Sequence, residues 1–331
     1  MSRDARDARA PTGGRSGAAR RRHVVVEKLR TGIFVASCHA EHHCSKIARR
    51  NAMSESPEMR VSDLGVTRLF GVKGKTILVT GGARGIGLMI AAGFVANGAT
   101  VYIASRSADA CETAARRLTA AGPGTCHALA ADLGTETGCA ALAAALKSRE
   151  QALHVLVNNS GTSWGAPMAT HDTKGWDKTY NLNVKGVFFL TRELLPLLDA
   201  ASTPTDPARV INIGSVAGIR PQVFPTFSYD VSKAAVHHLT RKLADELADR
   251  RSEGGHAITV NAIAPGYVPS RMSAQLGEYE ESEKIAKSGI PLGRRGNAAD
   301  MAGSALFLAG EAGAWISGVV LRVDGGMLSK L

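Results

Sequence analysis

The stretch Thr80-Gly-Gly-Ala-Arg-Gly-Ile-Gly87 decides the fold that we expect. It follows an apolar run typical of a buried strand and opens a run typical of a helix. Glycines allow a tight turn and a close approach of the backbone to a pyrophosphate, and a helix N-terminus offers unpaired N–H groups. An ordinary strand-to-helix turn also contains glycines, so the context must support the interpretation. The stretch predicts a dinucleotide-binding turn with Gly81, Gly85, Ile86 and Gly87 as contacts.

The rest of the chain supplies that context. From residue 75, short β-branched runs alternate with longer runs rich in alanine and leucine. This alternation is typical of a parallel sheet with helices on both faces, so we predict a doubly wound, Rossmann-type α/β fold with seven parallel strands. The expected strands are residues 75–80, 99–104, 125–131, 153–158, 209–214, 257–263 and 318–323. The expected helices are residues 85–97, 107–121, 136–149, 173–199, 229–250 and 298–310.

The domain organisation follows from composition. No break divides residues 71–331, so we predict a single domain there and, in residues 1–70, an N-terminal extension that is mostly disordered or poorly packed. Residues 266–295 interrupt the alternation, because they are polar with Gly and Pro at their ends. They would follow the carboxyl end of a strand, where ligands bind in such sheets, and we expect them to form a mobile substrate lid.

The net charge of +11 on 331 residues belongs mainly to the N-terminus. Residues 1–52 hold 12 Lys or Arg against 4 acidic residues, which leaves only +3 for the remainder. We therefore expect no nucleic-acid partner for the folded domain, and DNA binding through the basic tail is a disfavoured alternative. Whether residues 1–52 belong to the functional protein stays open, although we favour a dispensable segment.

No apolar run approaches the roughly 20 residues that a membrane-spanning helix needs, so no membrane partner is expected. A cytoplasmic location is the first expectation. The Arg-rich N-terminus makes a mitochondrial location the alternative, although Asp4 and Asp7 are unusual in a transit peptide.

No metal site is expected. The five cysteines lack the spacing of a disulfide framework, which favours a reducing compartment. The stretch Cys38-His-Ala-Glu-His-His-Cys44 holds all its possible metal ligands within seven residues, whereas a structural zinc site usually takes ligands from two separated segments. His237 and His238 lie on different faces of one predicted helix and lack a third ligand, so a core or subunit-contact role is favoured.

The end of the second strand indicates which nicotinamide cofactor fits. Proteins that bind NAD usually place an Asp or Glu there to hold the ribose 2′-hydroxyl. The segment Val101-Tyr-Ile-Ala-Ser-Arg106 has no acid at its end. Ser105 and Arg106 can receive a 2′-phosphate instead, and Arg84 adds a second guanidinium. The alternative is that Arg106 merely begins a solvated helix. The pattern predicts NADP(H) as the cofactor.

The stretch Tyr229-Asp-Val-Ser-Lys233 places a phenol and an ammonium on one helical face. A tyrosine in water has a pKa of about 10, and a neighbouring ammonium favours its ionised form. Such a tyrosine can donate a proton to a carbonyl oxygen while a hydride arrives from a cofactor. The spacing is common on helices, so the pair becomes informative only beside the glycine turn.

Seven motifs occur in a characteristic order in this chain. They are Thr80-Gly-Gly-Ala-Arg-Gly-Ile-Gly87, Asp132-Leu133, Asn158-Asn-Ser-Gly161, Asn181-Leu-Asn-Val184, Ile211-Asn-Ile-Gly-Ser215, Tyr229-Asp-Val-Ser-Lys233 and Pro265-Gly266. With them, residues 75–328 resemble the single-domain form of the short-chain dehydrogenase/reductase family. Ser160 departs from the alanine that is usual there, a small change that leaves cofactor binding possible. The run from Asn158 to Pro167 is similar to rhamnolipid-type and fungal 3-oxoacyl-carrier-protein reductases.

The resemblance implies roles for individual residues. Ser215 would hold the substrate carbonyl, and Tyr229 would be the acid/base. Lys233 would bind the nicotinamide ribose and lower the pKa of Tyr229. Asn183 would anchor a water that links Lys233 to solvent.

On the cofactor side, the resemblance places Asp132 and Leu133 at the adenine and Asn158 beside the adenine ribose. After Pro265-Gly266, the backbone of Val268 and the side chain of Ser270 would hold the carboxamide. The family also pairs helices 173–199 and 229–250 of two subunits, which implies a homodimer or homotetramer.

The expected function is NADPH-dependent reduction of a ketone, such as a 3-oxoacyl thioester, to a secondary alcohol. An alternative substrate is a cyclic or polyketide-like ketone, because a fold does not determine its substrate. A non-catalytic NADP-binding sensor is the alternative from another class. Such proteins usually lose the tyrosine or the lysine, and this chain keeps both.

Overall fold

A computed structural model of the chain describes residues 60–250, 255–270 and 289–329. Seven parallel strands form one sheet in the order β3-β2-β1-β4-β5-β6-β7. The strands are β1 (Thr76–Thr80), β2 (Thr100–Ser105), β3 (Thr125–Ala130), β4 (Val155–Asn158), β5 (Arg209–Ile213), β6 (Thr259–Pro265) and β7 (Val320–Val323). The predicted seven-stranded, doubly wound parallel sheet is confirmed. Its order reverses between β1 and β4, the place where ligands bind in such sheets.

The helices of the described residues connect these strands. They are α1 (Val66–Leu69), α2 (Gly85–Ala96), α3 (Ala108–Ala121), α4 (Glu136–Lys147), α5 (Thr173–Tyr180), α6 (Gly186–Ala201), α7 (Phe227–Ala248) and α8 (Ala298–Ala309). The single helix predicted over 173–199 is interrupted, because a π-helical segment, Asn181–Lys185, joins α5 to α6. Such segments often occur at functional sites. No proline or glycine in this segment signals the change.

The sheet is covered on both faces. Successive side chains of a strand point to opposite faces. In β1, Ile77 and Val79 pack into the cluster that contains side chains of α2, α3 and α8. Leu78 packs into the opposite cluster, with side chains of α4, α6 and α7. Every residue of β1 is buried, which explains why the strands are almost uniformly apolar.

The compact unit that contains the sheet begins at Arg60, before the predicted boundary at residue 71. The Phe70 ring lies 6.3 Å from the Phe307 ring of α8. Arg68 donates a hydrogen bond of 2.9 Å to Glu311. These few contacts attach residues 60–70 to the domain.

Residues 1–59, which include the stretch from Cys38 to Cys44, lie outside the described residues. In the part of the chain that the structure describes, no helix combines the length and apolar character needed to cross a membrane. Within the same ranges, no group of three or more His, Cys, Asp or Glu side chains is arranged to hold a metal ion.

Candidate active site

The glycine turn joins β1 to α2 at the reversal of strand order. Gly81 and Gly85 adopt positive φ angles of 65° and 55°, which other residues rarely adopt. A Cβ on Gly87 would lie only 2.4 Å from the Asn159 amide nitrogen and from the Gly81 carbonyl oxygen. Ile86 packs against the core beneath the first turn of α2. The bare backbone at this helix N-terminus fits an approaching pyrophosphate.

Two residues that the sequence analysis missed hold this turn against β4. The Thr80 hydroxyl accepts hydrogen bonds of 2.9 Å from the backbone N–H groups of Asn159 and Ser160. The Asn159 amide donates to the carbonyl oxygens of Thr80 and Gly81, at 2.8 and 3.3 Å. The available signal was a threonine directly before the glycines together with the paired asparagines at 158 and 159.

The Asn158 side chain bonds inside the domain. It is buried and donates hydrogen bonds to the Asn212 side chain at 2.9 Å and to the Thr191 hydroxyl at 3.2 Å. Both partners lie inside the domain, so the side-chain amide is engaged within the sheet. The position of Asn158 beside an adenine ribose stays a prediction.

The side chains expected to bind a 2′-phosphate lie beside the glycine turn. The Gly81 N–H donates to the Ala104 carbonyl, which brings the end of β2 to the turn. Arg84 and Arg106 are exposed, and Ser105 is half-buried. A cleft of about 490 Å³ opens between Ala83 and α3 at this edge. The two guanidinium groups are therefore accessible to an anion.

The expected adenine contacts follow β3. Asp132 is exposed, and its carboxylate accepts a 3.0 Å hydrogen bond from the Gly134 N–H. Leu133 is buried, and its carbonyl would touch a Cβ added to Gly186 at 2.4 Å. Leu133 thus holds the loop against α6, while Asp132 presents its carboxylate at the surface.

The segment after β6 reaches the glycine turn. The Gly266 N–H donates to the Val323 carbonyl at 3.0 Å, which ties residues beyond Pro265 to β7. Val268 is buried in the core. A Cβ on Gly85 would lie 3.4 Å from the Ser270 Cβ, so Ser270 lies next to the turn. Residues 271–288, most of the predicted lid, lie outside the described residues.

The four expected catalytic residues come together at the carboxyl edge of the sheet. The Ser215 side chain interacts with the Tyr229 phenol and acts to lower its pKa. The Lys233 ammonium donates to the Ile213 carbonyl at 2.7 Å and lies 5.6 Å from the centre of the Tyr229 ring. A Cβ on Gly161 would lie 3.3 Å from the Asn183 Oδ1 and 3.6 Å from the Lys233 Nζ. Both side chains therefore border the same small residue.

Asn183 is positioned by its amide. Its Oδ1 accepts from the Thr162 N–H, and its Nδ2 donates to the Thr162 carbonyl and to the Ser232 hydroxyl, each at 2.9 Å. The Ser232 hydroxyl donates in turn to the Tyr229 carbonyl at 2.7 Å. These bonds connect the π-helical segment with the first turns of α7.

Burial changes the acid–base properties of the site. It lowers the pKa of Lys233 to about 8. It also raises the pKa of Tyr229, while the interaction with Ser215 opposes this rise. The Lys233 ammonium bonds to the Ile213 carbonyl rather than to the phenol, and the lowering of the Tyr229 pKa by Lys233 stays a prediction.

Comparison with known proteins agrees with this geometry. The family model described as enoyl-(acyl carrier protein) reductase matches residues 81–328. The chain belongs to the short-chain dehydrogenase/reductase family. It is therefore an oxidoreductase by family, and the resemblance inferred from the seven motifs is confirmed.

Individual relatives cover the same part of the chain. The rhamnolipids biosynthesis 3-oxoacyl-[acyl-carrier-protein] reductase of Pseudomonas aeruginosa is 46% identical over 257 residues, which are 78% of this chain and 97% of that protein. Galactitol 2-dehydrogenase (L-tagatose-forming) of Cereibacter sphaeroides is 35% identical over 78% of this chain and 96% of its own length. The solved active-site complex of Pseudomonas aeruginosa RhlG with NADP is similar with a TM-score of 0.74 and 45% identity, covering 78% of this chain and 98% of that one.

Proposed function

We propose that this protein uses NADPH to reduce a ketone to a secondary alcohol, with Tyr229 as the proton donor. The observation that carries the proposal is the position of Ser215, which interacts with the Tyr229 phenol, beside the buried Lys233. The pair lies at the same edge of the sheet as the glycine turn. A proton donor and a dinucleotide-binding turn at one edge suit hydride transfer to a carbonyl carbon.

The reaction balances with the residues present. When bound, NADPH supplies the hydride, which forms the new C–H bond at the carbonyl carbon. The Ser215 hydroxyl holds the carbonyl oxygen, and Tyr229 gives its phenolic proton to that oxygen as negative charge develops there. The charge of Lys233 stabilises the phenolate that remains, and Asn183 supports the route by which the proton is replaced. The products are a secondary alcohol and NADP⁺.

A 3-oxoacyl thioester is the proposed substrate. The relative with 46% identity is named as a 3-oxoacyl-[acyl-carrier-protein] reductase, which supports this class. The test follows NADPH oxidation by its near-ultraviolet absorbance with 3-oxoacyl thioesters, cyclic ketones and keto-sugars. We expect the highest kcat/KM with the thioesters. A higher value with a cyclic or sugar ketone would move the proposal to that class, and no turnover with any ketone would favour a non-catalytic NADP-binding protein.

NADPH should bind at least about 10-fold more tightly than NADH. The exposed guanidinium groups of Arg84 and Arg106 can pair with the 2′-phosphate, and hydrogen bonds to charged groups contribute about 1.5–3 kcal/mol each. Arg106→Glu should raise the Kd for NADPH about 10- to 100-fold and change that for NADH much less. Fluorescence titration measures both constants. Arg116→Glu on the exposed face of α3 is the matched control, and equal wild-type constants would refute the preference.

We also propose a homodimer that buries the outer faces of α6 and α7, with a homotetramer as its larger form. Phe188 and Val231 on these helices are 41% and 48% exposed and offer apolar surface that a second subunit would cover. Sedimentation of the wild type at the mass of a single chain would refute this assembly.

A further inference from the structure

The loop that carries Ser215 is held closely against α7. The Ser215 hydroxyl accepts from the Ala217 N–H at 3.1 Å, and the Gly218 N–H donates to the Ser215 carbonyl at 3.0 Å. A Cβ on Gly218 would lie 2.5 Å from the Lys233 carbonyl carbon. The loop therefore has little freedom at its Gly218 end, and its other end, at Gly214, contacts a side chain of the same helix.

That side chain is His237, which lies one turn beyond Lys233 and is 3% exposed. Its Nε2 accepts a hydrogen bond of 3.4 Å from the Ser215 N–H. The ring also interacts with the Gly218 backbone. A Cβ on Gly214 would lie 2.1 Å from Nε2, so the ring occupies the space that a side chain there would need. One imidazole thus contacts both ends of the loop.

The ring is in the form that this contact requires. Burial, and after it the charge of Lys233, lowers the pKa of His237 to about 4, and Arg241 acts in the same direction. The imidazole is therefore neutral at neutral pH. One nitrogen of a neutral ring accepts and the other donates, so acceptance by Nε2 assigns the proton to Nδ1.

We propose that His237 is a positioning residue for the reduction, acting by holding the Ser215 backbone so that its hydroxyl stays next to Tyr229. This inference rests on the proposed function. The Ser215 hydroxyl oxygen is two bonds from Cα, which is bonded to the backbone nitrogen that His237 holds. A shift of the loop therefore moves the hydroxyl directly. A displacement of about 1 Å can lower a rate on the order of 100-fold, so a side chain that fixes the loop should affect kcat.

The test compares His237→Leu with His237→Gln, whose side-chain oxygen can accept where Nε2 does. His237→Leu should lower kcat about 10- to 100-fold, with the Kd for NADPH unchanged within about twofold. His237→Gln should restore much of the loss. In a Ser215→Ala background, His237→Leu should cost less than about twofold, because the group that it positions is gone. An undiminished kcat in His237→Leu, or the same loss in both backgrounds, would overturn the proposal.

A second measurement needs no turnover. The Ser215 amide should exchange its hydrogen at least about 10-fold faster in His237→Leu than in the wild type, and the Gln variant should stay close to wild type. Gly214→Ala should reproduce the Leu phenotype, because its methyl group displaces the ring. Lys147→Leu, at an exposed position of α4, is the control and should change neither exchange nor kcat. Unchanged exchange at Ser215 would contradict the proposal, whereas full activity of Tyr229→Phe would contradict the proposed function instead.

Discussion

Tyr229→Phe is expected to lower kcat for ketone reduction about 1000-fold, since general acid catalysis contributes roughly 10²–10⁴-fold. The substitution removes one oxygen, the atom that interacts with Ser215 and would give its proton to the substrate. The ring itself remains, so the packing around Lys233 should persist. NADPH oxidation measures kcat, and fluorescence titration should give a Kd for NADPH within about twofold of wild type.

Tyr180→Phe is the control for this experiment. Tyr180 ends α5 and is 38% exposed, so loss of its hydroxyl should leave kcat within about twofold of wild type. If Tyr229→Phe retained a third or more of the wild-type kcat, the proton would have to come from another group. A parallel loss of NADPH affinity would instead indicate that the variant disturbs the cofactor site.

Lys233→Met should abolish turnover and yet stabilise the fold at pH 7. Burial lowers the pKa of Lys233 from 10.5 to about 8, so below pH 8 the folded chain carries a buried ammonium at a cost of about 3 kcal/mol. Methionine has a similar length and no charge. Its substitution loses the hydrogen bond to the Ile213 carbonyl, worth about 1 kcal/mol, which leaves a net gain of about 2 kcal/mol.

The stability difference between Lys233→Met and the wild type should depend on pH. Between about pH 8 and 10.5 the unfolded wild type binds a proton that the folded wild type does not, so its stability rises with pH in this window. The advantage of Lys233→Met should therefore be smaller at pH 9.5 than at pH 7, by about 2 kcal/mol. Urea unfolding at both values measures the difference. In the wild type, kcat/KM for reduction should fall as pH rises through about 8, because the ammonium beside Tyr229 is lost.

Lys242→Met on the same helix is the matched control. Its ammonium is exposed and pairs with Glu246 across one turn, so its removal should change stability by less than about 0.5 kcal/mol at either pH. A Lys233→Met protein that is less stable than wild type at pH 7 would show that the buried ammonium gains more from its surroundings than burial costs.

The sequence alone was sufficient for the sheet, the glycine turn and the spacing of Tyr229 and Lys233, each of which depends on a local pattern. Ser215 and Asn183 were predicted only through the resemblance to the family. Buried strands must be apolar, positive φ angles favour glycine at Gly81 and Gly85, and a spacing of four places Tyr229 and Lys233 on one helical face. Such patterns can be recognised in the sequence because they join residues that are close both in the chain and in space.

Only the tertiary structure decided where several side chains point, how deeply they are buried and which groups surround them. Asn158 turns inward because Asn212, 54 residues away, offers a buried acceptor. The pKa of Tyr229 rises because burial outweighs its interaction with Ser215, and His237 meets the Ser215 loop from another element. Hydrogen bonds and desolvation act over a few ångströms in space and are set by residues remote in the chain. The glycine turn could therefore be recognised from its own sequence. The side-chain contacts that hold this turn, and those that surround Tyr229, could not.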